Sequence, residues 1–330
     1  MIETVKGVKI AGTGSYVPER IVPNRELESL VKTSDEWIYS KLGIRERRYA
    51  AKGQATSDLA YRAALSAIEM AGIKSSDIDL IVTATATPDR PCPSTACFIQ
   101  EKLGAFKAAA FDVSAVCSGF LYGLSIGKQF VRAGKYSNVL VIGADTFSTI
   151  TDMQSRDCVF FGDGAGAVVL QPCDNLEGIL YVDLGADGRG KEGFTVYAGG
   201  SELPASAETV EARQHYFSLK GKDVYSTAVK VVPGIIEAAV RQCGLSLGDI
   251  KYIIPHQPSI NILKETAKAL GIPFEKILTN MDRYANTAGA SVPLLLDQTV
   301  RKGMIKKDDH IVLAAIGSGW TWGCAVIKWI

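Results

Sequence analysis

The chain of 330 residues is poor in several things that would mark a function at once. Three histidines are present in all. Lysine and arginine (36) nearly balance aspartate and glutamate (35), for a net charge of +1. Neither sign is in excess, so nothing draws the whole surface to nucleic acid or to an anionic membrane. The longest apolar runs, NVLVIGA and HIVLAAIG, are strand-length. They fall far short of the ~20 residues a membrane-spanning helix needs. The opening segment, 1–12, has two lysines and lacks the apolar stretch of a secretory signal. Seven cysteines make an odd number and no disulfide framework, so a reducing cytoplasm is expected. Cys92 and Cys97 have C-x4-C spacing, but no second Cys/His pair lies nearby to complete a metal site. No metal, nucleic-acid or membrane partner is expected.

What is present is the composition of a globular protein, 47% hydrophobic and 22% charged. The length exceeds that of one ordinary core and predicts two domains or two fused halves. Val/Ile-rich runs at 80–86, 138–144, 251–255 and 310–316 alternate with helical spacing at 57–72, 118–134 and 226–244. That alternation predicts an α/β protein with buried, largely parallel strands.

The chain also repeats itself. AIEMAGIKSSDIDLIV (67–82) aligns with AVRQCGLSLGDIKYII (239–254) at an offset of 172, each copy reading helix, glycine cap, turn, strand. Val131-Arg132-x-Gly134 aligns with Val300-Arg301-x-Gly303 at an offset of 169. Two matches in the same order predict a duplicated fold, divided here as 1–175 and 176–330. The offset of 169 carries Cys117 onto Asn286, and the strand after Asp249 runs into Pro255-His256-Gln257. A pseudo-two-fold axis would let Cys117, His256 and Asn286 converge between the halves. The loop-rich stretch 185–212 reads as a connection that covers a site.

Cys117 follows an apolar, β-leaning segment and precedes a helical run through Phe120, Leu121 and Leu124. It is read either as a core thiol or as a nucleophile whose pKa a helix N-terminus lowers. Cys97, Cys158, Cys173, Cys243 and Cys324 fall within helical or strand patterns and read as core. His215 reads as solvated and His310 as an exposed strand start. His256, after an apolar strand, is either a satisfied loop histidine or a site residue. Asn286 is suited to a helix N-cap. FGDGAGAVVL (161–170) precedes a strand-like run, so it reads as a tight turn into a buried strand rather than a phosphate loop. AIGSGWTWGC (315–324) could offer backbone N–H groups to an anion.

GTGSYVPER, TSDEWIYSKLGIRERR, AVCSGFLYGL, FGDGAGAVVL, PHQ, NTAGASVP and GSGWTWG occur in one order along nearly the whole chain. With them the sequence resembles the β-ketoacyl-acyl-carrier-protein synthase III family, within the thiolase superfamily. The resemblance implies a thiolase-like duplicated five-layer α-β-α-β-α fold and a homodimer. The N-terminal half would hold the nucleophile, and the C-terminal half the histidine and asparagine. It implies Cys117 as acyl-accepting nucleophile, His256 and Asn286 as its catalytic partners, and the backbone N–H groups of Cys117 and Ser318 as an oxyanion hole. Trp37 and Arg156 would flank the adenine of coenzyme A, although the arginine stands one place later than usual. Gly221 and Ser259 would line the pantetheine path. The implied reaction is a decarboxylating Claisen condensation of an acyl-CoA starter with a malonyl thioester, without metal or redox cofactor.

The pattern is broken in three places. Ser259 stands where the family has an asparagine after its His-Gln pair. Asn261 and Ser226 replace an arginine and a lysine of the carrier-docking face, while Lys222, Lys264 and Lys268 remain; malonyl-CoA could therefore replace malonyl-acyl-carrier protein. Cys92 replaces a bulky aromatic that closes the acyl pocket across the dimer. A larger starter is therefore expected, with Arg90 and Arg156 near enough to meet a carboxylate on it. These departures lean toward a specialised branch resembling quinolone- or pimelate-forming enzymes, beside initiation of fatty-acid synthesis. Two other classes remain. A degradative thiolase would need a second cysteine in the loop 317–319, which reads Gly-Ser-Gly. A non-catalytic partner of a true synthase would ordinarily have lost its nucleophile.

Overall fold

A computed structural model provides the fold, and the structure describes residues 7–174 and 177–330. The runs that alternate in the sequence become two mixed sheets. The first has the strand order Gly7–Tyr16, Gly164–Cys173, Val139–Asp145, Leu80–Ala84, Ala109–Val113. Its first two pairings are antiparallel and its last two parallel. The second sheet runs Ile179–Ala186, Thr321–Lys328, His310–Gly317, Ile250–Pro255, with two antiparallel pairings and then a parallel one. Where the first sheet has its fifth strand, the second has a single parallel bridge, Ile253 to Ile277. The sheets change over between Cys173 and Ile179, and the expected join at 175/176 lies outside the described residues.

Helices Gly119–Arg132 and Ser291–Arg301 pack against strands of both sheets and form the middle layer. Thr56–Met70 and Thr95–Leu103 cover the outer face of the first sheet. Gly221–Gln242 covers that of the second, with Ile260–Leu270 packed beside it. The layers therefore run α-β-α-β-α. Phe120, Leu121 and Leu124 are fully buried. They join Val82, Val141 and Val168 of one sheet to Leu313 and Ala325 of the other. The opposite choice of residue lets the same helix come close: a Cβ on Gly123 or Gly127 would meet Val141 at 3.0 or 2.9 Å.

The helix expected over 226–244 begins at Gly221. Asp223 supplies the acidic first turn, and Ser226 spends its hydroxyl on the carbonyl of Asp223 at 3.1 Å. Two corrections concern the repeat and the cysteines. The turn before the first middle helix, Val116–Ser118, corresponds to Ala288–Ala290 before the second, an offset of 172. The first middle helix has 14 residues and the second 11. The offset therefore falls to 169 only past these helices, and the partner of Cys117 in the repeat is Gly289, not Asn286. Of the cysteines expected in the core, Cys158 and Cys324 are buried, while Cys97, Cys173 and Cys243 are half-buried. These three sit in the first turn of a helix, at the end of a strand and at a helix C-cap, where one side faces out. His215 is also not simply solvated; its Nε2 pairs with Thr209 Oγ1 at 2.9 Å.

The halves approach closely at Gly143, near the end of strand Val139–Asp145. A Cβ there would lie 2.2 Å from the carbonyl oxygen of Gly289. Both contacting groups are backbone, so relief requires the halves to separate. Gly143→Ala is expected to cost about 3 kcal/mol or more, at the upper end for overpacking. It should read as a lower urea midpoint with an unchanged slope; an unchanged midpoint would show that the halves do not bear on each other here.

Candidate active site

The first half delivers its thiol on a strained corner. Strand Ala109–Val113 ends, and Val116–Ser118 forms a tight turn directly before helix Gly119–Arg132. Val116 takes φ +45°, a left-handed conformation that a β-branched residue adopts only under constraint. Cys117, next along, is held at the mouth of the helix. Gly317, at the end of strand His310–Gly317, passes against this corner; a Cβ there would stand 3.0 Å from the backbone N of Cys117 and of Ser118. Thr321 Oγ1 meets Ser118 Oγ at 2.7 Å, and Ser318 Oγ donates to the carbonyl of Phe194 at 2.5 Å. The glycine-rich segment after the strand is thus tied to the thiol corner on one side and to a covering ribbon on the other.

The second half contributes the other two groups. His256 follows strand Ile250–Pro255, and its backbone N–H donates to Ala314 O at 2.8 Å. Its Nδ1 lies 2.7 Å from Ser291 Oγ. Asn286 is not a helix N-cap, as expected from sequence. Its Oδ1 accepts the N–H of Ala288 at 2.8 Å, a turn within its own loop. That bond turns the amide nitrogen the other way. Ala288 has φ +46°, the counterpart of Val116 in the repeat.

Cys117, His256, Asn286 and Ser318 line one cavity of about 220 Å³. Gly221 and Ser259 line it too, each at the start of a helix. Ser259 is an N-cap, accepting the N–H of Ile262 at 3.4 Å. Lys41, Tyr225 and Asn261 also border it, and Trp320 lies on its wall. Cys324 is not among the lining residues.

The floor is aromatic. Phe161 and Phe194 line the cavity. Phe147 stacks behind Phe161 at 4.6 Å between ring centroids, and Phe217 stacks on Phe194 at 5.2 Å. Phe194 and Phe217 come from the paired strands Phe194–Val196 and Phe217–Leu219, so the stretch expected to cover a site does bring a ring to it. Sequence reading missed these four rings, because they are scattered over seventy positions and meet only in the folded chain.

Trp37 and Arg156 lie just outside the cavity lining. The Arg156 guanidinium sits 3.8 Å from the centre of the Trp37 ring, so the late position of the arginine does not prevent the pairing. Arg47, fully buried, joins the segments that carry them. It donates to Asn24 Oδ1 at 2.7 Å and to Val159 O at 3.0 Å, and Asn24 Nδ2 reaches Asp35 at 2.8 Å. Cys92 and Arg90 are exposed and do not line the cavity of their own chain. Arg90 rests over Phe98 at 5.3 Å. The expected meeting of Arg90 and Arg156 over an acyl carboxylate is not formed within the chain, because each guanidinium is taken up by a different ring.

Burial governs the titration of the site. It pushes the Cys117 thiol well above its usual range, helped by the nearby Asp145 carboxylate. Desolvation of a buried thiolate thus opposes the lowering expected at a helix terminus, with only a backbone hydrogen bond at Cys117 acting the other way. His256 is pushed down to about 3 by burial alone, so its ring is neutral. Asp145, fully buried, is pushed up to about 6 by desolvation, against four donors that favour its charge. Thr85 and Thr87 hydroxyls and the Ala86 N–H reach one oxygen, and the Gly289 N–H reaches the other at 2.9 Å. Among the described residues no cluster of His, Cys, Asp and Glu suits a metal ion.

Comparison with known proteins follows the same lines. Residues 111–188 match the 3-oxoacyl-[acyl-carrier-protein (ACP)] synthase III family, and residues 240–329 match the C-terminal family of the same enzyme. The β-ketoacyl-[acyl-carrier-protein] synthase III of Caldanaerobacter subterraneus subsp. tengcongensis is 50% identical over 97% of this chain and 97% of its own. That of Clostridioides difficile is 49% identical over 97% and 98%. Among solved structures, the Aquifex aeolicus 3-oxoacyl-[acyl-carrier-protein] synthase III aligns with TM-score 0.90 and 37% identity, covering 98% of this chain and all of that one. The priming β-ketosynthase of the R1128 polyketide pathway aligns with TM-score 0.91 and 31% identity over 99% and 98%.

A thiol held neutral reacts in proportion to its thiolate fraction, which grows tenfold per pH unit below its pKa. Alkylation of Cys117 by iodoacetamide in the free protein, followed at its own peptide by mass spectrometry, should therefore keep rising through about pH 9. A plateau near neutrality would mean a preformed thiolate and would contradict burial as the dominant influence.

Proposed function

The chain belongs to the 3-oxoacyl-[acyl-carrier-protein] synthase III family, and from that membership we propose how its own residues divide the condensing reaction. The observation that carries the reading is the convergence of Cys117, His256 and Asn286 on one cavity from distant parts of the chain. Cys117 sulfur attacks the carbonyl of an acyl-CoA thioester. The acyl–sulfur bond to coenzyme A breaks, and the thiol proton leaves with the released CoA thiol. The backbone N–H groups of Cys117 and Ser318 stabilise the tetrahedral oxyanion; loss of one such donor typically costs about 3 kcal/mol. A malonyl thioester then enters by the same path. Loss of carbon dioxide leaves an enolate, whose oxygen is met by the Asn286 amide and the His256 ring. The enolate carbon attacks the acyl-Cys117 carbonyl, forming the carbon–carbon bond and releasing the thiolate, which takes up a proton. No cofactor enters this sequence, since neither half requires electron transfer.

The malonyl carrier in this reading is the acyl-carrier protein, the partner in the relatives' names. Lys222, Lys264 and Lys268 are exposed on the two helices whose first turns border the cavity. They give an acidic carrier a cationic landing face despite Asn261 and Ser226. Trp37 and Arg156 grip the CoA nucleotide. A homodimer belongs to the proposal: strand Ala109–Val113 pairs on one side only in its sheet, and the exposed Cys92 is free to reach a partner's pocket. No helix among the described residues is long and apolar enough to cross a membrane. A cytoplasmic setting suits the free thiols and the CoA substrate.

The aromatic floor bears on the starter. Phe161 and Phe194, backed by Phe147 and Phe217, close the cavity beyond Cys117 from within the chain. A short, unbranched starter fits this better than the larger group anticipated from Cys92 alone.

Intact-protein mass after incubation with acetyl-, butyryl-, octanoyl-, glutaryl- and benzoyl-CoA tests both parts. An acyl adduct is expected with the short esters and none in Cys117→Ala. Persistence of the adduct in that variant would remove Cys117 as nucleophile. Phe217→Ala should extend labelling to octanoyl, at a stability cost of roughly 3–5 kcal/mol typical of an emptied aromatic site. Ready octanoyl or benzoyl labelling of the unaltered protein would overturn the floor as the limit on starter size.

A further inference from the structure

A neutral imidazole carries one N–H, so burial of His256 in uncharged form leaves open which nitrogen holds it. The groups around Nδ1 decide. Among the described residues its hydrogen-bond partner is Ser291 Oγ, at 2.7 Å. Ser291 is itself buried and is the first residue of helix Ser291–Arg301. Its hydroxyl has a single proton and two acceptors within reach: His256 Nδ1, and the carbonyl of Ala288 at 2.9 Å. That carbonyl already accepts the backbone N–H of Ser291, which closes the turn Ala288–Ala290. It is satisfied without the hydroxyl.

We infer that Ser291 is a positioning residue that donates its hydroxyl proton to His256 Nδ1, fixing the tautomer whose Nε2–H faces the cavity. Asn286 is aimed in the same manner. Its oxygen is held by the Ala288 N–H, which leaves the amide hydrogens to the cavity. One short segment, 286–291, thus sets two donors on two different elements. With Ser291 donating instead to Ala288, the ring would carry its proton on Nδ1 and present a lone pair to the enolate, which repels it. The inference rests on the proposed role of His256 as a donor, but the tautomer can be read without any turnover.

Three histidines make the measurement direct. Protein labelled with 15N-histidine gives two-bond proton–nitrogen spectra of three rings, with His256 assigned by its loss in His256→Ala. The expected pattern for His256 is a protonated Nε2 and a bare Nδ1; a protonated Nδ1 overturns the inference. In Ser291→Ala the pattern should become mixed or invert. Condensation with malonyl-acyl-carrier protein should fall by at least about tenfold, toward the hundredfold or more of a lost oxyanion donor. Acylation of Cys117, read by mass, should fall less. Ser291→Thr, which keeps the hydroxyl, should restore the tautomer and part of the condensation rate. Equal loss of both half-reactions, or an unchanged tautomer in Ser291→Ala, also overturns it. Should Ser291→Ala fail to fold, the spectrum of the unaltered protein still decides. Should no acyl-CoA label Cys117, the proposed reaction fails while the tautomer result stands on its own.

Discussion

The contact on which the site depends is the buried carboxylate of Asp145. It stands at the end of a strand of the first sheet and gathers donors from both halves. Thr85, Ala86 and Thr87 bind one oxygen, and Gly289 binds the other. Burying such a group without donors would be expensive, and with them it fixes geometry. Gly289 belongs to the turn that follows Asn286 and precedes Ser291. Gly143, two residues before Asp145, has no side chain because the Gly289 carbonyl occupies the space. The thiol corner, the amide and the histidine's support are thereby referred to a single point between the halves.

Duplication explains why such a point exists. Each half enters its central helix through a tight turn whose first residue is left-handed, Val116 or Ala288. One copy keeps the thiol at its corner. The other keeps glycine there and moves its chemistry three residues upstream to Asn286. Functional asymmetry is laid over backbone symmetry, and the strained residues mark where the two coincide.

Much of this was readable in the residues themselves. Val/Ile runs and helical spacing gave several of the strands and the first central helix, because buried strands leave continuous apolar runs and amphipathic helices a periodic one; the largely parallel pairing expected from them is mixed in the two large sheets, with four antiparallel pairings beside three parallel. The repeat rightly suggested that corners of the two halves meet, but its offset was three residues out there, and Asn286 as partner of Cys117 and His256 rested on the family resemblance. What stayed hidden depends on contacts with no local signature. The phenylalanine floor, the donors around Asp145 and the Ser291 hydroxyl involve ordinary residue types far apart in sequence. The direction of the Cys117 shift was hidden for the same reason: a helix terminus can be read from a pattern, but the burial of the thiol beside Asp145 cannot. Cys92 was read as acting across a dimer, and within its own chain it is exposed and lines no part of the Cys117 cavity.

The pairing of Arg156 with Trp37 has a consequence for any flat ring that enters there. At 3.8 Å the guanidinium covers one face of the indole and leaves no gap of base thickness. If the pair grips the CoA adenine as proposed, entry is an exchange, in which one stacked contact is given up and two are formed. Arg156 is exposed and Trp37 half-buried, while Arg47 ties both segments to one buried anchor. On that proposal the opening is a swing of one side chain rather than a parting of the scaffold. Selectivity would then come from a threshold: a guest must stack on indole and guanidinium together before it displaces the arginine.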